Sequence, residues 1–437
     1  MRFSKLVAIA VVAFILEQSS IAAAGGSIDA IATRAAASVV PADQALLVVA
    51  SPLTSDQGAP HGDDLALRVA TVLAGKLGAA ARAHPRVASL AVARAAAGHS
   101  AGLVYVTVQI EKGELRATVD LYPVVANGWD RLRASAPSPR THGFASAAID
   151  AEIRTFLPAV LLEQAQIHRA HHDETDVLAA ACGDLDGDGG MEIAIVSRAR
   201  VVVGHVRGKV GEEKFVSARS ADWSALAPRV PTPLREPLGG AFFRDLALFV
   251  GTSDRGGVEL GPDLSARSAL RGIPISGSNK PICARVDVAT SGFFGDLKGC
   301  SLASDSASAL ASPTPKFDAL AAATVVDRHG AARDVVTARG SDGKLVVRLG
   351  SASRSFDEVG AQVAVGDLDQ DGIPEIVTTR DGSDDAIQIW SYDGTQTRER
   401  KKIPAEDGVS ALAICPPEAN GVPALVAVVG SEVWLVR

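Results

Sequence analysis

Two short acidic runs hold the side chains best placed for chemistry: Asp184-Leu-Asp-Gly-Asp-Gly-Gly-Met-Glu192 and Asp367-Leu-Asp-Gln-Asp-Gly-Ile-Pro-Glu375. Each sets carboxylates at relative positions 1, 3, 5 and 9, with glycine at position 6. Asp184, Asp186, Asp188 and Glu192 form the first set; Asp367, Asp369, Asp371 and Glu375 form the second. A hard divalent cation suits this pattern. Calcium takes about six to eight oxygens, and alternate residues of a tight loop can turn their carboxylates inward. The glycine permits the turn that brings the ninth residue back onto the ion.

Each run leads directly into β-branched apolar sequence, Ile193-Ala-Ile-Val196 and Ile376-Val-Thr-Thr379. An EF-hand would instead need a bidentate glutamate at position 12 and a helix on each side. Position 12 is Ile195 in the first run and Thr378 in the second. Both are strand formers without a chelating carboxylate. The spacing therefore predicts calcium loops that open into strands.

These loops resemble those of FG-GAP repeats, also called VCBS repeats, which build the propeller blades of integrin α-subunits and occur in many secreted bacterial proteins. The resemblance implies a C-terminal β-propeller with two Ca²⁺ sites. It makes the eight acidic residues side-chain ligands and adds the backbone carbonyls of Gly190 and Ile373.

Residues 177–437 read as repeated β units of strand, Gly/Asp turn and strand. The pattern recurs at Glu192, Asp245, Asp334, Glu375 and Ala424, with gaps of 53, 89, 41 and 49 residues. The doubled gap predicts a diverged unit near 280–304, giving about six blades of roughly 45 residues. Seven blades fit if residues 200–240 or 255–310 hide another. One degenerate copy keeps Asp327 and Asp334, but His329 and Ala331 replace its middle ligands, so no calcium is expected there.

The elements ahead of these repeats differ. Over residues 28–163 the pattern predicts a small α/β domain. Ala45–Ser51 reads as a strand, and Asp63–Leu77 carries apolar residues at helical spacing. Gly102–Ile110 and Leu115–Tyr122 read as a hairpin, and Phe144–Phe156 as a closing helix. In pattern this order resembles the amino-terminal domains of bacterial envelope proteins of the flagellar FlgO type and of the Tol–Pal propeller protein. Residues 164–176 read as a linker holding His168, His171 and His172, with His168 and His172 at the spacing of one helix face.

Composition narrows the function classes. The chain has 437 residues, 47% of them apolar, and a net charge of −7 without a basic tract, which argues against nucleic-acid binding. Two bound Ca²⁺ would offset up to four of those charges. Residues 1–24 read as a signal peptide: Arg2 and Lys5, an apolar core from Leu6 to Leu16, and small residues Ala22–Ala24 before a cleavage at Gly25. No second long apolar segment is present, so the expected product is exported, to periplasm or medium, with no transmembrane segment.

Export permits disulfides. Four cysteines allow three connectivities. A closed propeller would bring Cys182, in the first repeat, beside Cys415, in the last, leaving Cys283 for Cys300. Four buried free thiols are the alternative.

No His-Glu-x-x-His, Gly-x-Ser-x-Gly or Gly-x-x-x-x-Gly-Lys motif occurs. The acidic runs start 183 residues apart, in separate blades, too far for two-metal catalysis. Trp390 and Trp434 occupy similar repeat positions, where they could pack between blades or stack on a sugar. The sequence thus points to a non-catalytic, exported calcium-binding propeller that presents a surface to a protein or glycan. The alternatives are an envelope assembly factor docking through the α/β domain and a polysaccharide-active enzyme working in the propeller channel.

Overall fold

The computed structural model describes residues 26–39, 45–56, 58–98, 100–124, 138–209, 211–229, 236–275, 281–290, 292–302, 310–382, 384–417 and 422–437. The signal segment 1–24 lies outside them. The chain divides into two compact units, residues 1–158 and 159–437.

In the first unit, Leu46–Ala50 pairs in parallel with Ala81–Ala83 and Gly102–Glu111. Glu114–Pro123 and Thr141–Ala148 extend the sheet antiparallel. Helices Ser27–Ser38 and Gly62–Leu77 bury Ile28, Ile31, Leu65, Val69 and Leu73 together with Val48, Val104 and Val106 of the sheet. A short helix, Leu90–Ala96, covers part of the other face around Val49, Leu103 and Tyr122.

The closing helix expected over Phe144–Phe156 is corrected here. Thr141–Ala148 is a strand, and the helix is confined to Ala151–Arg154. Alternation explains the difference: Gly143 and Ala145 face the core while Phe144, between them, is exposed. Full pairing with Glu114–Leu121 outweighs the local helix tendency of the alanines.

The second unit is mainly β and forms a six-bladed propeller among its described residues. Blade 1 comprises Val177–Gly183, Glu192–Ser197, Arg200–Arg207 and Lys214–Asp222, from the inner strand outward. Blade 2 is a four-stranded meander over 239–270, blade 4 over 319–356 and blade 5 over 363–404. Blade 3 is the diverged unit. Ile273–Ile275, Ile282–Ala284 and Lys298–Gly299 form a small sheet, and a second three-stranded sheet spans 286–317. Inner strands of neighbouring blades touch all the way round, including blade 6 against blade 1.

Blade 6 draws three strands from the C-terminal segment, Val409–Cys415, Ala424–Val429 and Glu432–Val436. Its fourth strand is Ile167–His171, paired antiparallel with Glu432–Val436. This corrects the linker expected at 164–176 and the helical face expected for His168 and His172. The reason is the unpaired edge that Glu432–Val436 would otherwise present, which an extended segment satisfies and a linker does not. His168 then pairs with Glu213 of blade 1 at 3.0 Å, His171 is exposed, and His172 is buried just past the strand end. Trp434 is likewise buried, with the Arg169 guanidinium 4.3 Å from its ring centre, and Trp390 packs on Phe356.

Disulfides join Cys182 to Cys415 and Cys283 to Cys300. The first ties the inner strands of blades 1 and 6 across a sequence separation of 233 residues; the second closes a separation of 17 inside blade 3. In the chain-entropy account a loop of about 15 residues contributes about 3 kcal/mol and one of about 100 residues about 4.7 kcal/mol. Replacing Cys182 and Cys415 together by serine should therefore lower the melting temperature more than replacing Cys283 and Cys300. Calorimetry on the two double variants checks this, and a reversed order would contradict the clasp role of the first disulfide.

Candidate metal centres

Both acidic loops occupy the same place in their blades. Each joins the inner strand to the second strand: Val177–Gly183 to Glu192–Ser197 in blade 1, and Val363–Gly366 to Glu375–Thr379 in blade 5. Each follows a glycine that the neighbouring blade crowds. A Cβ on Gly183 would lie 2.5 Å from Phe243 Cβ, and one on Gly366 would lie 2.9 Å from Ile414 Cγ2. Inter-blade packing thus fixes where each loop begins.

A shared hydrogen-bond scaffold shapes the loops. The leucine at position 2 is buried in each, and its N–H donates to the position-9 glutamate: Leu185 to Glu192 and Leu368 to Glu375, both at 2.7 Å. The position-1 carboxylates fold the turn. Asp184 accepts from the N–H groups of Gly187 and Gly189, Asp367 from those of Asp371 and Gly372. The position-5 carboxylates of Asp188 and Asp371 accept from Gly190 and Ile373, each at 2.7 Å. The position-6 glycines, Gly189 and Gly372, have φ of 82° and 83°, a conformation that a side chain would strain.

Three carboxylates converge in each loop, with one oxygen from each within 4.8 Å of the others: Asp184, Asp186 and Glu192, and Asp367, Asp369 and Asp371. Asp188 and Glu375 lie outside these sets. Asp188 is exposed and engaged by Gly190; Glu375 forms the buried floor and also accepts from Ser391 Oγ at 2.8 Å. Gly190 and Ile373 sit where the loop turns back toward the second strand. These sites suit a hard divalent cation: every converging donor is an anionic oxygen. In the first loop Glu192 is 1% exposed, and its Oε1 has no hydrogen-bond partner.

The second loop is the more enclosed. Burial, with the neighbouring charges of Asp371 and Asp369, pushes the Asp367 carboxyl up to about 7. Burial and Asp371 push Asp369 up to about 6, against the pull of Arg400. Burial, with Asp369 and Asp367, holds Glu375 well above the usual carboxylate range. Glu192 is also raised, first by burial and then by its acidic neighbours, whereas the hydrogen bond from Arg219 lowers Asp186.

Sequence reasoning missed the basic partners. Arg219 and Arg400, on the outer strands of blades 1 and 5, donate to the position-3 aspartates Asp186 and Asp369 at 2.7 and 2.8 Å. Arg400 also grips Glu163 at 2.7 Å. They follow their aspartates by 33 and 31 residues, so aligning the two blades over their whole length would have exposed them.

No known protein family matches the chain as a sequence profile, and no curated protein matches it. Solved structures similar to it include the RRP9 WD40 repeats (12% identity, 64% of this chain and 98% of that one, TM-score 0.37). The Dos1 propeller aligns over 77% of this chain and 79% of its own, at 11% identity and TM-score 0.28. TolB from Acinetobacter baumannii aligns over 90% and 94%, at 11% identity and TM-score 0.23. Scores this low carry no argument; the propeller assignment rests on the six blades and their closed inner ring.

The raised carboxyls set a pH dependence. An unfolded aspartate titrates near 3.9. Folded, metal-free Asp367 holds its proton up to about pH 7. Between those values the folded state binds the extra proton, so stability is greatest at the acid end and falls as pH rises toward 7. The slope is about 1.4 kcal/mol per pH unit for one full proton. In chelator, melting temperature should decline from pH 5 to pH 8, and Asp367→Asn should flatten that decline. An equal decline in the variant would contradict the assignment.

Proposed function

We propose that this chain is an exported, non-catalytic, calcium-binding propeller of the FG-GAP/VCBS kind that presents a rigid surface to a protein or glycan partner. The carrying observation is the paired loop architecture: two blades place carboxylates at the same four sequence positions with the same glutamate-to-leucine hydrogen bond, and three carboxylates of each set converge within 4.8 Å. Burial and crowding disfavour the charged forms of Glu192, Asp367, Asp369 and Glu375, and a divalent cation would offset this. Calcium is the ion chosen because the converging donors are all carboxylate oxygens and its coordination shell tolerates the irregular geometry of a surface loop.

Export is supported by two disulfides, which persist in oxidising compartments. Among the described residues no helix is long and apolar enough to cross a membrane. On this reading residues 1–24 are removed on export, the α/β region 28–163 precedes the propeller, and the ions stiffen blades 1 and 5. The role assigned to the blades is presentation, since the loop carboxylates mainly accept from the loops' own backbone N–H groups.

Thermal unfolding of the secreted chain with and without Ca²⁺ tests the reading. A ligand that binds only the folded state stabilises it by about 2.7 kcal/mol at a hundredfold excess over Kd. The melting temperature should rise with Ca²⁺, and Asp186→Ala and Asp369→Ala should each remove part of that rise. Turnover of any polysaccharide, abolished by one carboxylate substitution, would overturn the non-catalytic part.

A further inference from the structure

The two acidic loops are supported differently. The second is braced from outside. Arg400 donates to Asp369 and to Glu163, and the Val160 N–H donates to the Asp369 carbonyl. Ser391 Oγ donates to Glu375, and Arg333 of blade 4 donates to the Gly372 carbonyl at 3.1 Å. The first loop is more open: Asp186 is exposed where its counterpart Asp369 is buried. Its Glu192 is 1% exposed, and Glu192 Oε1 has no hydrogen-bond partner. That buried, unpartnered carboxylate converges with Asp184 and Asp186 within 4.8 Å.

The base of the first loop is held by a covalent bond. Cys182 pairs with Ile193, and the next pair along, Gly183 with Glu192, closes the loop. The same two pairs in blade 5 are Val365 with Ile376 and Gly366 with Glu375. Val365 is held by packing, in a cluster with Val325 and Val335 of blade 4. Cys182 is bonded to Cys415, the last residue of the inner strand of blade 6. Both sulfurs and Ile193 lie in one buried apolar cluster. Dense interiors transmit strain, so a change at the sulfurs reaches the pair that carries Glu192.

We propose that the Cys182–Cys415 disulfide governs ion binding at the first loop: the oxidised clasp preorganises Asp184, Asp186 and Glu192, and its reduction lowers Ca²⁺ affinity there while leaving the second loop unchanged. The inference rests on the calcium reading of the loops given above. The redox step is thiol–disulfide exchange. A dithiol is oxidised to its cyclic disulfide, and Cys182 and Cys415 take up two electrons and two protons to become thiols. Two thiols cannot keep the bonded separation, so the inner strands of blades 1 and 6 part at the base of the loop. Ordering the carboxylates then becomes part of the binding step and weakens it. Coupling between two equilibria is reciprocal, so Ca²⁺ in the first loop makes the clasp harder to reduce by the same factor. A chain exported to an oxidising compartment holds its first ion most tightly once the clasp has formed.

Two variants of the full chain separate the sites. Asp367→Asn/Asp369→Asn keeps the first loop, and Asp184→Asn/Asp186→Asn keeps the second. Each is equilibrated in dithiothreitol redox buffers with Ca²⁺ or with chelator, and alkylation followed by peptide mass spectrometry counts reduced Cys182 and Cys415. Ca²⁺ should shift the clasp about tenfold toward the disulfide in the first variant and less than about twofold in the second. Equal shifts in both, as global unfolding on reduction would give, would overturn the proposal. The unaltered chain gives a second reading: calorimetric Ca²⁺ titration should resolve two sites when oxidised, and reduction should weaken one of them about tenfold. Two sites that weaken together, or not at all, would overturn the role of the clasp and leave the metal reading standing. An oxidised chain that binds no Ca²⁺ would overturn both.

Discussion

The buried glutamate that ends each acidic loop is the contact on which the metal-centre architecture turns. Glu192 and Glu375 are the first residues of their strands, yet each reaches back to the N–H of the loop's second residue at 2.7 Å. That bond closes the loop onto its own start. It places the leucine beside it in the core and turns the preceding aspartates toward one point. The cost is a carboxylate taken out of water beside two or three others. Burial raises both glutamates and, with the neighbouring charges of Asp371 and Asp369, pushes Asp367 up to about 7. A cation at the point of convergence would convert this repulsion into attraction, and the loop would then hold its two strands together.

The propeller supplies the rigidity that such a loop needs. Loops of this kind must start and end at fixed places, and the blades set them. Gly183 and Gly366 let the next blade's side chains approach where a Cβ would collide. The ring itself is closed twice between blades 6 and 1. The strand Ile167–His171 fills the open edge of the last blade, and Cys182–Cys415 joins the inner strands. Cys182 lies two residues ahead of Asp184, so the clasp and the first metal loop share one strand end. Around the second loop, Arg400 joins Asp369 to Glu163, and the Val160 N–H donates to the Asp369 carbonyl. The segment entering the propeller is thereby tied to the blade 5 loop.

Much of this was legible from sequence because strands and acidic turns have short-range signatures. The repeat positions Glu192, Asp245, Asp334, Glu375 and Ala424 fall at or beside second strands of blades, and the doubled gap falls on the split sheets of blade 3. What failed was set by partners distant in sequence. Ile167–His171 is a strand because Glu432–Val436 needs one, more than 250 residues later. Phe144 sits in a strand because Thr118 pairs with it. Arg219 and Arg400 reach the loops only through pairing across the blade, and no local pattern marks them.

The account stands or falls on whether the converging carboxylates hold ions. Equilibrium dialysis against ⁴⁵Ca²⁺ at neutral pH, with circular dichroism to confirm folding, counts them directly. The account predicts two ions per chain, one after Asp184→Asn/Asp186→Asn, and one after Asp367→Asn/Asp369→Asn. A folded wild-type protein that retains no calcium at millimolar concentration would contradict it, and the acidic runs would then be turns held by their own hydrogen bonds.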